Sequence, residues 1–180
     1  MIAVLFANGF EEIEALTPVD ILRRAGLKVV TVGVTGKTVT GSHGITYTAD
    51  TTVADFPNEK IDLLILPGGM PGTKNLDENP FTDEILQKTQ NDGGRISAIC
   101  AAPMVLGKRG LLKNKRACCY PGFENYLIGA SVTSNDVVTD GLITTARGMG
   151  VALDFSLRLL ALLTDEKTAL DMAKAVMKSN

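Results

Sequence analysis

Short apolar runs alternate with longer amphipathic segments along the first two-thirds of the chain. The runs are largely apolar and are bounded by glycine, proline or asparagine, at 2–7, 29–34, 63–66 and 96–99. Runs that are apolar on both faces are typical of strands in a parallel sheet that is covered on both sides. Helical periodicity is found between them, at 11–25, at 79–90 and directly after Cys100. This alternation predicts a doubly wound α/β domain.

Further elements are predicted in the rest of the chain. Residues 45–49 and 137–145 have strand-like composition, and the second segment turns at "TDG", residues 139–141. Two helices are predicted to close the chain, at 149–163 and 165–177. Because no linker, repeat or low-complexity stretch interrupts the sequence, we expect residues 1–180 to form a single domain.

Charge and hydropathy exclude several classes of function. The formal net charge is -2, so the chain lacks the basic surface that nucleic acid or an anionic membrane would require. No apolar run approaches the roughly 20 residues of a membrane-spanning helix. We therefore expect a cytoplasmic protein that neither enters a membrane nor binds nucleic acid sequence-specifically.

The cysteines and the single histidine limit the chemistry further. There are three cysteines, of which Cys118 and Cys119 are adjacent, and no CxxC pair. This pattern predicts neither a disulfide framework nor a zinc site. His43 is the one histidine, so a mechanism with two imidazoles is excluded. We expect no metal and no cofactor, and we interpret His43 as a loop or interface residue.

Three unusual segments each follow a predicted strand directly. They are "NGFEEIE", "PGGMPG" and "CAAP", at residues 8–14, 67–72 and 100–103. Open α/β sheets bind their ligands beyond the carboxyl ends of the strands, where the strand order reverses. We therefore expect all three segments to meet on one edge of the sheet and to form the functional site.

Glu14 in the first segment falls within the apolar arc of the predicted helix. On a helical wheel it aligns with Pro18 and Ile21, whereas Glu12 falls on the polar arc with Thr17. A carboxylate that faces a core is costly unless it is paired or protonated. Local N–H groups and the helix dipole are one way to satisfy it. The other interpretation is a carboxyl whose pKa is raised by desolvation, so that it exchanges protons near neutral pH.

The other two segments also permit two interpretations. The glycines of "PGGMPG" suit a tight turn, but Gly68 and Gly69 would also allow main-chain N–H groups to approach an anion. No lysine followed by serine or threonine comes after this turn, so it is not a phosphate loop. Cys100 is either a small buried hydrophobe or the nucleophile of a strained strand–helix elbow. In the second case, the following helix N-terminus predicts a lowered thiol pKa.

Taken together, the motifs resemble the ThiJ/PfpI superfamily and, within it, the protein deglycase branch associated with Parkinson disease. The matching strings extend over nearly the whole chain; they are "GFEEIEALTPVDILRRAG" (9–26), "LPGGMPGTKNL" (66–76), "AICAAP" (98–103) and "DGLITTARGMG" (140–150) with the "ALDFSLRLLALL" that follows. The resemblance implies a flavodoxin-like three-layer α/β/α sandwich with a mostly parallel sheet, similar to class I glutamine amidotransferases. It also implies a homodimer.

The resemblance also implies roles for individual residues. Cys100 would be the nucleophile, Glu14 the carboxyl that contacts its sulfur, and the main-chain N–H groups of Gly69 and Ala101, with Gly68 beside them, the anion pocket. Relatives are reported to convert methylglyoxal to lactate without a cofactor, or to reverse early glycation of proteins and nucleotides. Others act as oxidative-stress sensors or redox-regulated chaperones through oxidation of this cysteine.

Two departures from the family pattern restrict these roles. The protease-like branch has a histidine after the nucleophile, where this chain has Ala101, so a cysteine protease is disfavoured. Many deglycase-type members carry a histidine where this chain has Tyr120, which is a poor base at neutral pH. We interpret Tyr120, Cys119 and Arg147 as neighbours of the pocket, with a structural role as the alternative for Arg147. A thiamine-biosynthesis role is disfavoured because no phosphate site is found.

Overall fold

A seven-stranded sheet forms the centre of the computed structural model, which describes residues 1–178. The strands in chain order are β1 (Ile2–Phe6), β2 (Val29–Gly33), β3 (Thr38–Thr40), β4 (Thr46–Thr48), β5 (Thr51–Thr52), β6 (Leu63–Leu66), β7 (Arg95–Ile99), β8 (Arg116–Ala117), β9 (Ser131–Val132), β10 (Val137–Asp140) and β11 (Ile143–Ala146). The order in the sheet is β10-β11-β7-β6-β1-β2-β5. All neighbours are parallel except β10 and β11. The remaining strands form two small ladders, β3–β4 and β8–β9.

Helices cover both faces of this sheet. They are α1 (Glu12–Arg24), α2 (Gly72–Glu78), α3 (Pro80–Asn91), α4 (Pro103–Lys108), α5 (Ala152–Leu163) and α6 (Glu166–Ala175). The apolar residues of α1, α5 and α6 share one core cluster, and those of α2, α3 and α4 share the other. The arrangement is a three-layer α/β/α sandwich; the alternation of apolar runs predicts the doubly wound α/β domain, and the resemblance implies the three layers. None of the helices in residues 1–178 combines the length and the apolar character needed to cross a membrane.

Strand β1 shows why the apolar runs are continuous. Its five residues are all buried, with Ala3 and Leu5 in the core on one face and Ile2, Val4 and Phe6 in the core on the other. Successive side chains of a strand point to opposite faces, so a strand with both faces covered needs an apolar residue at every position. The sequence pattern is therefore a direct consequence of the three layers.

The observed elements match most of the predicted ones, with some differences. The predicted hairpin at 137–145 is the antiparallel pair β10–β11. Cys118 and Cys119 do not lie on a strand, because β8 ends at Ala117; both cysteines are buried in the segment that follows. The Cys118 N–H donates to the Thr145 hydroxyl at 3.0 Å, a side-chain contact that replaces the ladder. Helix α2 and the short strands β3, β5, β8 and β9 were not predicted.

The topology brings the three unusual segments together. From β1 the chain first adds β2 on one side and later adds β6 and β7 on the other, so the strand order reverses at β1. Crevices form beyond the carboxyl ends of strands at such a point. The segments after β1, β6 and β7 all begin at this edge, and Gly68 accepts a backbone hydrogen bond from Glu11 at 2.9 Å across it.

Candidate active site

Cys100 lies on the sharp turn between β7 and α4. Its φ of 65° is in the left-handed region, which a residue with a side chain adopts only under strain. Main-chain hydrogen bonds hold this conformation: the Cys100 N–H donates to Ala146 at 2.9 Å, and its carbonyl accepts from Tyr120 at 2.8 Å. The side chain is half-buried. The turn therefore presents the sulfur at the edge of the sheet, as in a nucleophile elbow.

Glu14 lies directly against this sulfur. It is the third residue of α1 and is 1% exposed. Its carboxyl and the Cys100 thiol form a side-chain hydrogen bond. The Gly68 N–H donates to Oε2 of the same carboxyl at 3.1 Å, and the Met149 N–H donates to it as well. The structure thus brings Cys100 and Glu14 into one contact pair.

The glycine turn contributes two different donors. The main-chain N–H groups of Gly69 and Ala101 donate to the Cys100 sulfur, whereas the N–H of Gly68 is used by Glu14. The anion pocket of Gly68, Gly69 and Ala101 stays a prediction, and within it the N–H of Gly68 is already bonded to Glu14. Position 68 still requires glycine, because a Cβ there would lie 2.5 Å from Oε2 of Glu14 and 2.6 Å from Cβ of Cys100.

The environment raises the pKa of both members of the pair. Burial, together with the charge of Glu11, raises the pKa of Glu14 to about 7 despite the hydrogen bonds that it receives. Burial and the charge of Glu14 raise the pKa of the Cys100 thiol to about 12. The predicted lowering of the thiol pKa is therefore wrong. Helix α4 begins only at Pro103, and the two N–H groups that stabilise the thiolate do not offset burial.

The two titrations are coupled, because each charge opposes the other. When Glu14 takes up a proton, the charge that opposes the Cys100 thiolate disappears, and the neutral carboxyl becomes a hydrogen-bond donor to sulfur. One proton shared between Glu14 and Cys100 is therefore the arrangement that this contact favours. Such a pair can pass a proton to and from a bound molecule near neutral pH.

An open cleft adjoins the pair. Its volume is about 350 Å³, and its lining includes Tyr120, Arg147, Gly148 and Met149. A Cβ on Gly148 would lie 3.4 Å from the Tyr120 ring and 3.8 Å from Oε1 of Glu14, so this wall of the cleft reaches the carboxyl. Cys100 and Glu14 do not themselves line the cleft, and Gly148 lies between the cleft and the Glu14 carboxyl.

Cys119 lines a second cleft of about 290 Å³ beside the first, and Arg147 borders both. The Arg147 guanidinium contacts the Asp136 carboxylate at 3.5 Å and the Ser134 carbonyl at 3.4 Å. These contacts hold the chain after β11 against the neighbouring loop. These contacts suit the structural role that is the alternative interpretation of Arg147, and its role as a neighbour of the pocket stays a prediction.

Comparison with known proteins identifies the family of this chain. A model of the DJ-1/PfpI family matches residues 1–162. The chain belongs to the DJ-1/PfpI family. The resemblance inferred from the motifs is thereby confirmed.

Individual DJ-1/PfpI relatives match over nearly their full length. Protein dj-1beta of Drosophila melanogaster is 35% identical over 177 residues, which are 97% of this chain and 95% of that protein. Glutathione-independent glyoxalase DJR-1.2 of Caenorhabditis elegans is 34% identical over 160 residues, covering 88% of this chain and 86% of that protein. The solved structure of oxidized Toxoplasma gondii DJ-1 has a TM-score of 0.94 and 32% identity, with 99% of this chain and 98% of that chain covered.

One contact of this DJ-1/PfpI chain differs from the sequence prediction. Glu12, expected on the polar arc of α1, is 4% exposed beneath the β3–β4 hairpin. Its carboxylate accepts from the His43 N–H at 2.8 Å and lies 3.0 Å from His43 Nδ1, with Ser42 and Ile45 donating from the same hairpin. The His43 side chain itself is 72% exposed. A predicted strand pair at β3–β4 would have been the signal that Glu12 is covered.

Replacing Glu14 is expected to remove a pH dependence from the free energy of unfolding. The carboxyl has an ordinary pKa of 4.5 and a pKa of about 7 in the fold. Between these values the folded protein binds more protons than the unfolded chain, so stability falls as pH rises. Because glutamine cannot ionise, Glu14→Gln lacks this loss, which amounts to at most about 3 kcal/mol.

Urea unfolding of both proteins between about pH 4.5 and pH 7.5 measures this effect. The stability of Glu14→Gln relative to the unmodified protein should increase steadily with pH over this interval. A difference that is independent of pH would show that the Glu14 carboxyl does not titrate with a raised pKa.

Proposed function

We propose that this protein is a cofactor-independent enzyme of the glyoxalase III or deglycase type, acting on methylglyoxal or glycated adducts. The observation that carries the proposal is the hydrogen-bonded pair of Glu14 and Cys100 beside an open cleft. A nucleophile and a proton-exchanging carboxyl are the groups that an internal redox reaction of a 2-oxoaldehyde requires. The relative named glutathione-independent glyoxalase DJR-1.2 supports the same activity.

The reaction begins with addition of the Cys100 sulfur to the aldehyde carbon of methylglyoxal. The new C–S bond forms as the C=O π bond opens, and the oxygen takes the proton of the pair to give a thiohemiacetal. The N–H groups of Gly69 and Ala101 stabilise the thiolate before the attack. Neither a metal nor a cofactor takes part in this proposal.

Glu14 then moves a proton between the two adjacent carbons of the adduct. As carboxylate it removes the proton from the thiohemiacetal carbon to give an enediolate. As acid it returns a proton to the neighbouring carbon, while the hydroxyl proton passes from the first oxygen to the second. The product is a thioester of lactate with Cys100, which water hydrolyses to lactate and free thiol. The net reaction adds one water to methylglyoxal, and the oxidation of one carbon balances the reduction of the other. With the hemiaminal that methylglyoxal forms on an amine, the C–N bond breaks as the C–S bond forms, and the amine leaves with the proton of the pair. The same thiohemiacetal results.

The test is formation of lactate from methylglyoxal in an amine-free buffer without glutathione. A rate proportional to protein concentration and a single lactate enantiomer are expected, because Glu14 delivers the proton to one face. In D₂O the second carbon of lactate should carry deuterium, since the Glu14 carboxyl exchanges with solvent. Racemic lactate at the rate of buffer alone would overturn the proposal.

A second candidate function is an oxidative-stress sensor or redox-regulated chaperone. It is favoured by the half-buried Cys100 sulfur, which is more accessible than the buried thiols of Cys118 and Cys119. The matched Toxoplasma gondii DJ-1 structure is of the oxidized protein. A protonated Glu14 would donate a hydrogen bond to a sulfinate oxygen and retain the oxidised form.

Mild peroxide is therefore expected to add two oxygen atoms at Cys100 and to spare the other two thiols. Intact mass followed by peptide mapping measures the distribution of oxygen. In Glu14→Leu, oxidation should proceed further to the sulfonate, because this side chain has no donor that could hold the sulfinate. Equal oxidation of all three cysteines would contradict this second function.

The proposal includes the assembly and the setting of the protein. We propose a homodimer, since Ile13 on α1 and Met149 beside the cleft are exposed apolar side chains. A cytoplasmic location is supported by the three free thiols. Small reactive carbonyl compounds are the proposed partners, together with glycated proteins or nucleotides.

A further inference from the structure

Three carboxyl groups occupy four consecutive positions at the start of α1. Glu11, Glu12 and Glu14 are 9%, 4% and 1% exposed. Two of them are compensated: Glu12 by the donors of the β3–β4 hairpin, and Glu14 by Gly68, Met149 and the Cys100 thiol. The Glu11 carboxylate instead accepts a hydrogen bond from the Glu14 N–H, at 2.7 Å. Helix packing alone does not explain why a carboxylate occupies position 11.

Glu11 occupies the N-cap position of α1, where the usual residues are serine, threonine, aspartate and asparagine. A neutral serine would accept the same hydrogen bond, so capping alone does not require a glutamate. In a capping box, Glu14 would reach back to the N–H of the cap residue. Here that N–H donates to the Gly68 carbonyl at 2.9 Å, and the Glu14 carboxyl is free to contact Cys100.

These contacts connect Glu11 to both sides of the pair. Its side chain fixes the backbone of Glu14, and its N–H holds the turn whose Gly68 N–H donates to the Glu14 carboxyl. We propose that Glu11 is a positioning residue that holds Glu14 against Cys100 and sets a negative charge beside the pair. This inference deepens the proposed function and rests on the role that it gives to the pair.

The charges around the pair support this role. The charge of Glu11 raises the pKa of Glu14, second only to burial among the influences that raise it. The groups that face Glu14 and Glu11 from the surrounding elements are Cys100 after β7, Tyr120 across Gly148, Glu12 on α1 and His43 on the hairpin. His43 is the cation of this set when it is protonated, and its carboxylate partner is Glu12 at 3.0 Å. Because one atom each of Glu11, Glu12 and His43 lie within 4.8 Å of one another, a protonated His43 also offsets part of the Glu11 charge. The negative charge of Glu11 therefore acts on Glu14 most strongly where His43 is neutral.

The test compares the pH dependence of Cys100 alkylation in Glu11→Gln and Glu11→Asp. Iodoacetamide is the probe, and peptide mass spectrometry follows Cys100 alone. Glutamine retains an oxygen that caps the helix but removes the negative charge. The pair of Glu14 and Cys100 should therefore lose its protons at lower pH. We expect the plot of Cys100 alkylation rate against pH to lie about 0.5 to 1 pH unit lower in Glu11→Gln than in the unmodified protein. Glu11→Asp, which keeps charge and cap, should remain close to the unmodified protein.

Glu12→Gln is the matched control, because it removes the neighbouring carboxylate, which does not contact Glu14. Its profile should shift by less than half as much as that of Glu11→Gln. An unshifted profile for Glu11→Gln would overturn the proposal, and so would equal shifts for the two variants. Glu11→Ser, a good neutral cap, repeats the test if Glu11→Gln fails to fold.

A second readout keeps this inference distinct from the proposed activity. The infrared carbonyl band of a protonated carboxyl, identified by its loss in Glu14→Gln, should disappear at lower pH in Glu11→Gln than in the unmodified protein. Neither this band nor alkylation requires turnover. A protein that makes no lactate can therefore still show the effect of Glu11, and an active protein can still lack it.

Discussion

Cys100→Ser is expected to lower lactate formation from methylglyoxal by about 10⁴-fold, as the loss of a nucleophile does in other covalent catalysts. The serine hydroxyl is a far weaker nucleophile than a thiolate near neutral pH, and no histidine lies beside it to act as a base. The side chain is nearly isosteric, so the φ of 65° at this turn and the contact with Glu14 should be retained. Initial rates, measured with the same assay for both proteins, give the ratio directly.

Cys118→Ala is the control for this experiment. Cys118 is buried, and its N–H donates to the Thr145 hydroxyl, a main-chain contact that alanine keeps. Its turnover should therefore remain within about twofold of the unmodified protein, because surrounding packing changes little. Residual activity of Cys100→Ser above a hundredth of the unmodified rate would mean that another group adds to the aldehyde.

Glu14→Gln is expected to lower the same rate by about 10²- to 10⁴-fold, the contribution of a positioned general acid and base. The amide can still donate a hydrogen bond to the Cys100 sulfur, but it cannot take a proton from one carbon and return it to the next. The thiohemiacetal should therefore form without proceeding to lactate. Intact mass of the protein with methylglyoxal should show this adduct accumulating on Cys100.

Glu12→Gln is the matched control for Glu14→Gln. Glu12 lies two residues before Glu14 on α1 and is equally buried, but its carboxylate is bound by the β3–β4 hairpin. The turnover of this variant should fall far less than that of Glu14→Gln. Equal losses in the two variants would show that packing of α1, rather than proton transfer by Glu14, limits the reaction.

The raised pKa values of Glu14 and Cys100 explain why both residues are needed for the proposed reaction. A thiol whose pKa is raised to about 12 by burial and by the charge of Glu14 is protonated and unreactive near neutral pH. Glu14, with a pKa of about 7, exchanges its proton in that range. Uptake of this proton removes the charge that opposes the thiolate and supplies a donor to the sulfur. Reactivity of Cys100 is therefore expected to depend on the state of Glu14.

Much of the site follows from local patterns in the sequence. The apolar runs locate β1, β6 and β7, and the carboxyl ends of parallel strands lie at one edge of a sheet. These two facts bring the segments of Glu14, Gly68 and Cys100 together before any contact is known. The position of Glu14 within the apolar arc also follows from helical periodicity, and in the structure it is 1% exposed.

The contacts that could not be predicted from the sequence join distant parts of the chain. Gly68 and Glu14 are 54 residues apart, and Glu12 and His43 are 31 apart. The packing of the helices and strands determines which acceptor binds the Gly68 N–H. It also determines which hairpin covers Glu12. The sequence predicts a lowered pKa for Cys100, but the pKa is raised in the fold. Burial and the charge of Glu14, which depend on packing, outweigh the local N–H groups.

The α/β architecture, the family and the sheet edge of the candidate site can thus be inferred from sequence, because apolar periodicity and turn residues act over a few positions. The partners of Gly68, Glu11 and Glu12, and the pKa directions of the pair, depend instead on tertiary packing. Hydrogen-bond geometry and desolvation are set by atoms that meet only when distant segments pack together.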